Sequence, residues 1–260
     1  MNKRSASRAA VCAALGLAAL AACAGSTGAR KQEAEAHYRM GIAALQQPGG
    51  IQSEVNRRAA YPEVMLAIKI EPDNAQYHQI LGAIYLYGQD YPKARQEITR
   101  ALEIDPELSE ARNNLGLVLL AQEQPAEAAV EFRRALANLA YPTPEIAAFN
   151  LGKAEYSLGN YEEAIEAYKR SLAILPGNFD GQLGLGLSYA RLGRLQEAGK
   201  AYAEAIRMQP GAVRPHYELG MTLFKLGRKD DAATQFRRVV ELDPAGELGE
   251  QSRVYLRLLK

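Results

Sequence analysis

The chain has 260 residues, with 31 lysines and arginines against 30 aspartates and glutamates, a formal net charge of +1. That balance gives no electrostatic reason to expect nucleic acid as a partner, and after residue 30 no continuous apolar run approaches the roughly 20 residues a membrane-spanning helix needs. An apolar content of 48% with only two cysteines fits a folded chain and argues against a disulfide scaffold.

Residues 1–8 are polar and carry Lys3, Arg4 and Arg8. Residues 9–22 are apolar, with Val11, Leu15, Leu17 and Leu20 among alanines. This order is that of a secretory signal peptide over residues 1–22. It ends in Leu20-Ala21-Ala22-Cys23, which resembles the bacterial lipobox. In that family the cysteine sulfur receives a diacylglycerol, the leader is cut before it, and the new amino end is acylated. The resemblance makes Cys23 the lipidated first residue of the mature chain, and that covalent lipid is the one non-protein group expected. Cys12 leaves with the leader, so the mature monomer has no disulfide. Each buried methylene contributes about 0.8 kcal/mol, so an anchor of several acyl chains is stable where one is marginal. Residue 24 is Ala rather than Asp. By resemblance to Gram-negative lipoproteins this favours an outer-membrane, periplasm-facing location. Residues 23–33, opening with Ala24-Gly25-Ser26-Thr27-Gly28-Ala29, read as a flexible tether.

From residue 34 a repeat takes over. Gly82, Gly116, Gly152, Gly186 and Gly220 recur at near-constant spacing, each preceded by Leu and followed twelve residues on by Ala. A fixed period of this size marks a stacked helical array. The pattern resembles the tetratricopeptide repeat, two antiparallel helices per unit. The resemblance implies an all-α, right-handed superhelical solenoid of six repeats over residues 34–246. Small residues let the helices approach and large ones fill the holes between them.

In chain order, the first unit is irregular. Met40-Gly41 replaces Leu-Gly, and extra length lies around Gln47-Pro48-Gly49-Gly50-Ile51-Gln52-Ser53, before Ala60, Val64, Ala67 and Pro72. The second unit has Leu81, Gly82, Tyr85, Ala94, Ile98, Ala101 and Pro106. The third has Leu115, Gly116, Leu119, Ala128, Phe132 and Ala135, with Ala140 where proline is expected. The fourth has Leu151, Gly152, Ala164, Tyr168, Ser171 and Pro176. The fifth has Leu185, Gly186, Tyr189, Ala198, Tyr202, Ala205 and Pro210. The sixth has Leu219, Gly220, Leu223, Ala232, Phe236, Val239 and Pro244. Each proline stops a helix. Residues 247–260 read as a capping helix with Val254, Leu256 and Leu259 apolar, covering the last unit's open face.

In stacked hairpins the first helices line the inner wall. Counting from each glycine, inward positions fall three before, one after and four after it. The first unit offers Tyr38, Ile42 and Leu45. The second and third offer Ala83, Leu86 with Tyr87 beside it, Leu117 and Leu120. The fourth offers Phe149, Lys153 and Tyr156, the fifth Leu183, Leu187 and Ala190, and the sixth Tyr217, Met221 and Phe224. Most are apolar and are not needed to join neighbouring helices. The expectation is an exposed apolar stripe that takes the apolar face of an amphipathic helix, with the first three units as the groove. The other reading is that curvature buries these side chains against one another. Capture of a C-terminal carboxylate is not expected, because no basic residues line up with Asn113 and Asn114.

Ahead of the fourth unit stands Tyr141-Pro142-Thr143-Pro144, followed by Ala147, Asn150, Leu151 and Gly152. Two prolines fix the entry angle of the next helix, and Pro144 suits a first helical turn. The element, together with the lipobox and six repeats, resembles the pilotin lipoproteins of type IV pili (the PilF, PilW and Tgl group). The chain departs from that group in its long first unit, and in Lys153 to Glu155 where relatives often carry a Cys. The resemblance implies a lipid-anchored factor that binds an amphipathic segment of a secretin subunit. It implies that the factor helps the secretin reach the outer membrane and multimerise, and so supports pilus biogenesis and motility. The runner-up is a tetratricopeptide lipoprotein that scaffolds peptidoglycan or other cell-envelope enzymes.

No catalytic, metal or small-molecule site is expected. His37, His78 and His216 lie in different units without zinc-ligand spacing. Gly184-Leu185-Gly186 lacks a third glycine and a preceding strand. Ser188 sits in a repeat helix rather than on a strand-to-helix turn. Glu162-Glu163 and Asp230-Asp231 open second helices, where acids favour the positive end of the dipole.

Overall fold

The computed structural model describes residues 27–259, which form thirteen α-helices and no strand. In order these are α1 (27–45), α2 (Glu54–Ile70), α3 (Ala75–Tyr87), α4 (Tyr91–Ile104), α5 (Ser109–Ala121), α6 (Pro125–Ala137), α7 (Pro144–Leu158), α8 (Tyr161–Ile174), α9 (Phe179–Arg191), α10 (Leu195–Met208), α11 (Val213–Lys225), α12 (Lys229–Leu242) and α13 (Glu247–Leu258). Residues 1–26, which hold the expected leader and Cys23, lie outside the described residues. Residues 27–33, expected as part of a flexible tether, are the first turns of α1. Ala34 is fully buried there and packs with Ala67 and Tyr77. That docking outweighs the low helix preference of Thr27 and Gly28.

The chain divides into two compact units, one reaching to Asn114 and one starting at Leu115 within α5. In the first unit α3 packs on α4 and on α2. In the second, α7 with α8, α9 with α10 and α11 with α12 form hairpins, and each hairpin packs on the next.

The repeat glycine has one physical role throughout. A Cβ on Gly82 would lie 2.5 Å from Ile98 Cγ1, on Gly116 2.5 Å from Phe132 Cε1, on Gly152 2.7 Å from Tyr168 Cδ1, on Gly186 2.5 Å from Tyr202 Cε1 and on Gly220 2.8 Å from Phe236 Cε1. In each hairpin the second helix lays a large side chain directly on the backbone of the first. The sixteen-residue offset between glycine and large residue is the register of the hairpin. Phe132, Tyr202 and Phe236 are fully buried, each worth about 1.5–3 kcal/mol of burial.

Within each hairpin the first helix hands over to the second through a left-handed residue. Gly159, Gly193 and Gly227 have φ of +81°, +74° and +74°. Gln89 and Glu123 hold the same conformation without being glycine, at φ 63° and 59°. The extension in the first hairpin is folded rather than slack. The Asn56 side-chain amide donates to the carbonyls of Gln47, Pro48 and Gly50 at 3.1, 3.3 and 2.9 Å. The Arg57 guanidinium donates to those of Ile51 and Gln52 at 2.8 and 2.6 Å. Two polar residues of α2 thus satisfy the carbonyls that the added length would leave orphaned.

At the far end α13 covers the last hairpin. Tyr255 stacks on Phe236 with ring centroids 5.0 Å apart and meets Phe224 edge-on at 5.5 Å. Leu256 and Leu259 pack beside it, as their apolar character suggests. Val254, read from sequence as part of that apolar face, is exposed instead. Tyr255, one residue on, takes the inward position.

Candidate functional site

The inner positions of the first helices are less open than their sequence pattern suggests. Leu45, Ala83 and Leu86 are buried, at 9%, 4% and 8% exposure. Leu45 belongs to the core cluster with Ala60, Val64, Leu81 and Ile84. These three side chains serve hairpin packing and offer no ligand surface, so their place in an exposed stripe is corrected. The cause, plain for Leu45, is that a first helix is covered by its own second helix, here Ala60 and Val64, and by a neighbouring hairpin, here Leu81 and Ile84. Positions one after and four after the glycine then fall near the edge of those contacts rather than clear of them.

Tyr38, Ile42 and Tyr87 in the first unit are half-buried. The Tyr38 ring lies 4.9 Å from that of Tyr77. In the second unit Leu117 and Leu120 are half-buried against Leu119, Ala128, Phe132 and Ala154. Phe149, Tyr156, Leu183, Leu187 and Ala190 pack likewise on the cluster around Tyr168 and Tyr202. Tyr217, Met221 and Phe224 pack on Phe236. Lys153 is exposed, its ammonium 5.8 Å from the Phe149 ring centroid. Within each unit the wall is therefore a row of half-covered apolar edges, each able to give further area to a partner without repacking the hairpin.

The connector ahead of α7 is a packing element. Tyr141 is buried with Ala135, Leu136, Ala147 and Ala148. Pro142 is exposed, Thr143 is the N-cap, and Pro144 opens α7 at a position where its missing N–H removes no helical bond. Asn150 is buried in the same helix.

The histidines share a repeat position, four residues before the glycine, and each meets the second helix of its own hairpin. His37 Nδ1 lies 2.7 Å from Glu63 Oε2, His78 Nδ1 lies 2.7 Å from Glu97 Oε2, and His216 Nδ1 lies 2.8 Å from Gln235 Oε1. His78 Nε2 also lies 2.8 Å from the Pro72 carbonyl. A carboxylate and a carbonyl both accept, so the two contacts together favour the doubly protonated imidazole. The hydrogen bond to Glu97 raises its pKa above the ordinary imidazole value, against burial, which lowers it. These are latches inside hairpins. Their sequence signal is the constant offset from the glycine.

Sequence reasoning also passed over Glu155. It stands three residues after Gly152, where the second, third, fifth and sixth repeats place Tyr or Leu, and it is 1% exposed. Arg133 of α6 donates to one carboxylate oxygen and Asn160 Nδ2 to the other at 2.8 Å. The pair joins neighbouring hairpins of the second unit.

Family profiles for the tetratricopeptide repeat match residues 81–141 and 182–247, and a second profile for the same repeat matches residues 152–193. No curated protein matches the chain in sequence. Among solved structures, PilW, a widely conserved type IV pilus biogenesis factor, is similar with a TM-score of 0.71 and 23% identity, over 84% of this chain and 97% of PilW. Pseudomonas aeruginosa PilF is similar with a TM-score of 0.74 and 19% identity, over 87% of this chain and 99% of PilF. YrrB, a tetratricopeptide protein with an unusual peptide-binding site, aligns over 74% of this chain with a TM-score of 0.66 and 19% identity. At these identities the likenesses speak for the fold. With repeat profiles over more than half of its length and the register of glycine against a large side chain kept in five successive hairpins, the chain belongs to the tetratricopeptide-repeat family.

Proposed function

We propose that the chain is a lipid-anchored outer-membrane factor of the type IV pilus machine. It acts as a pilotin that binds an amphipathic segment of a secretin subunit and promotes insertion and multimerisation of the channel. The observation that carries this reading is the near-complete span of PilW and PilF, 97% and 99% of their chains. The lipobox cysteine Cys23 and the Tyr141-Pro142-Thr143-Pro144 element support it from the sequence. A repeat array of this kind works by presenting surface rather than by chemistry.

On this reading the lipid on Cys23 holds the array at the inner leaflet of the outer membrane. Tyr38, Ile42 and Tyr87 hold the apolar face of the client segment. A few hundred Å² of added burial contributes on the order of 10 kcal/mol gross, from which association costs subtract much. Tethering factor and client to one bilayer raises their effective concentration.

The test is made in the native host. Deleting the gene is expected to abolish heat- and detergent-resistant secretin multimers. Cys23→Ser is expected to shift the protein to the soluble periplasmic fraction and to lower the multimer yield several-fold. Normal multimers in the deletion strain, with changed peptidoglycan enzymes, would favour the scaffold for cell-envelope enzymes instead.

A further inference from the structure

The first hairpin exposes apolar residues at repeat positions that the other hairpins cover at least in part or make polar, Val130 of α6, 42% exposed, being the exception. Counted from the repeat glycine, positions five before, one before and two after face the preceding hairpin. In the first unit Tyr77 packs there on Ala34 and Ala67, and Leu81 and Ile84 pack on Leu45, Ala60 and Val64. In the second unit Ala147 packs on Ala135 and Leu136, and Ala154 on Ala128 and Phe132. The corresponding residues of α1 are Ala36, Met40 and Ala43. All three are exposed, Met40 at 55%. They form a helix-accepting face on which, among the described residues, no hairpin packs.

The second helix of the same hairpin departs in the same direction. Val55, Ala59, Pro62 and Leu66 stand at i, i+4, i+7 and i+11 on the exposed side of α2, with Val55 75% exposed. At the last three of these register positions α4 carries Lys93, Gln96 and Arg100, and α10 carries Lys200 between Glu197 and Glu204. Alternating spacings of four and three are those of a seam that faces another helix. At the C-terminal hairpin α13 packs on α12 and leaves Val254 and Leu258 exposed one turn apart, a pair rather than a seam.

We propose that this face of the first hairpin is a second docking surface, whose occupant is an amphipathic helix of a partner protein with apolar residues at i, i+3 or i+4, and i+7. The occupant follows from continuity: the α1 positions are the ones that accept a preceding second helix elsewhere in the chain, and the α2 seam has helix-pairing spacing. A bilayer is the weaker fit. Interfacial helices set Trp or Phe among lysines and arginines. Here the chain has no Trp, and Arg58 beside the seam is paired with Glu54 at 2.6 Å. The surface is distinct from the first-helix wall and does not depend on the secretin reading.

The test uses the full-length chain in its native host, with p-benzoylphenylalanine at Met40, at Val55 or at Leu66. A control carries it at Thr234, an exposed polar position of α12. After illumination the adducts are purified and the joined peptide is sequenced by mass spectrometry. The expected result is one partner segment with the stated apolar spacing, joined from α1 or α2 positions and not from Thr234. That segment, made as a peptide, is expected to bind the purified chain and to lose at least tenfold in affinity to Met40→Glu or Leu66→Glu. An adduct with a second copy of the chain overturns the proposal, as does one with residues 1–26 of the same chain. Absence of any protein adduct, the outcome of lipid contact, also overturns it.

Discussion

Replacing Arg133 by Met is expected to destabilise the α6–α7 region by about 3–5 kcal/mol. Glu155 is almost wholly enclosed, and the Arg133 guanidinium is the cation that meets it. Without Arg133 the carboxylate keeps the Asn160 amide at 2.8 Å but loses its counter-charge. An ionised group so placed must remain uncompensated or take up a proton. Removing the acid is a different perturbation. Arg133 is 53% exposed on its side chain and returns to water at little cost. Glu155→Met therefore costs much less, and the double variant Arg133→Met with Glu155→Met recovers most of the stability lost by Arg133→Met alone. Amide hydrogen exchange of α7 reads this locally, which suits an array that need not unfold in one step. Equal losses in both single variants would contradict the asymmetry.

The second large effect concerns the glycine register. Gly116→Ala is expected to destabilise its hairpin by about 2 kcal/mol, although Ala is a better helix former by about 1 kcal/mol. The added Cβ would fall 2.5, 2.7 and 2.9 Å from three atoms of the Phe132 ring, which is fully buried and has nowhere to move. Overpacking of this kind costs about 1–3 kcal/mol before relaxation of the backbone. Gly199 is the control. Its Cβ would meet Leu219 Cδ1 at 3.7 Å, an ordinary contact, so Gly199→Ala gains helix propensity and stabilises. Adding Phe132→Leu to Gly116→Ala should relieve the clash, so the two substitutions are non-additive. Thermal or urea unfolding followed by circular dichroism measures all four. A neutral Gly116→Ala would mean that the ring does not rest on the helix backbone.

Much of the fold was legible in the chain because its information is periodic. The glycines announce where the second helix presses on the first, and the large residues sixteen positions on say what presses. The extra length of the first hairpin was also placed correctly between α1 and α2, and Asn56 and Arg57 explain how it is held. Exposure was harder to read. Leu45, Ala83 and Leu86 share an apolar wall with Ile42, yet they close into the hairpin core, because burial depends on which neighbours stand on both sides of a helix. Glu155 and Met40 are the converse. Each breaks the repeat pattern at one position, and only the neighbouring hairpins, present for Glu155 and absent for Met40, give the departure its meaning.

Docking of a secretin segment on this array is the proposal with the most at stake. The direct measurement is a calorimetric titration of the purified secretin subunit into the lipid-free chain, and into Ile42→Glu checked for native helicity. Ile42 is half-buried on the inner wall, so the substitution changes the surface rather than the core. The predicted result is saturable binding by the unaltered chain and at least tenfold weaker binding by Ile42→Glu. Binding of equal strength in both, or none by the unaltered chain, would contradict it.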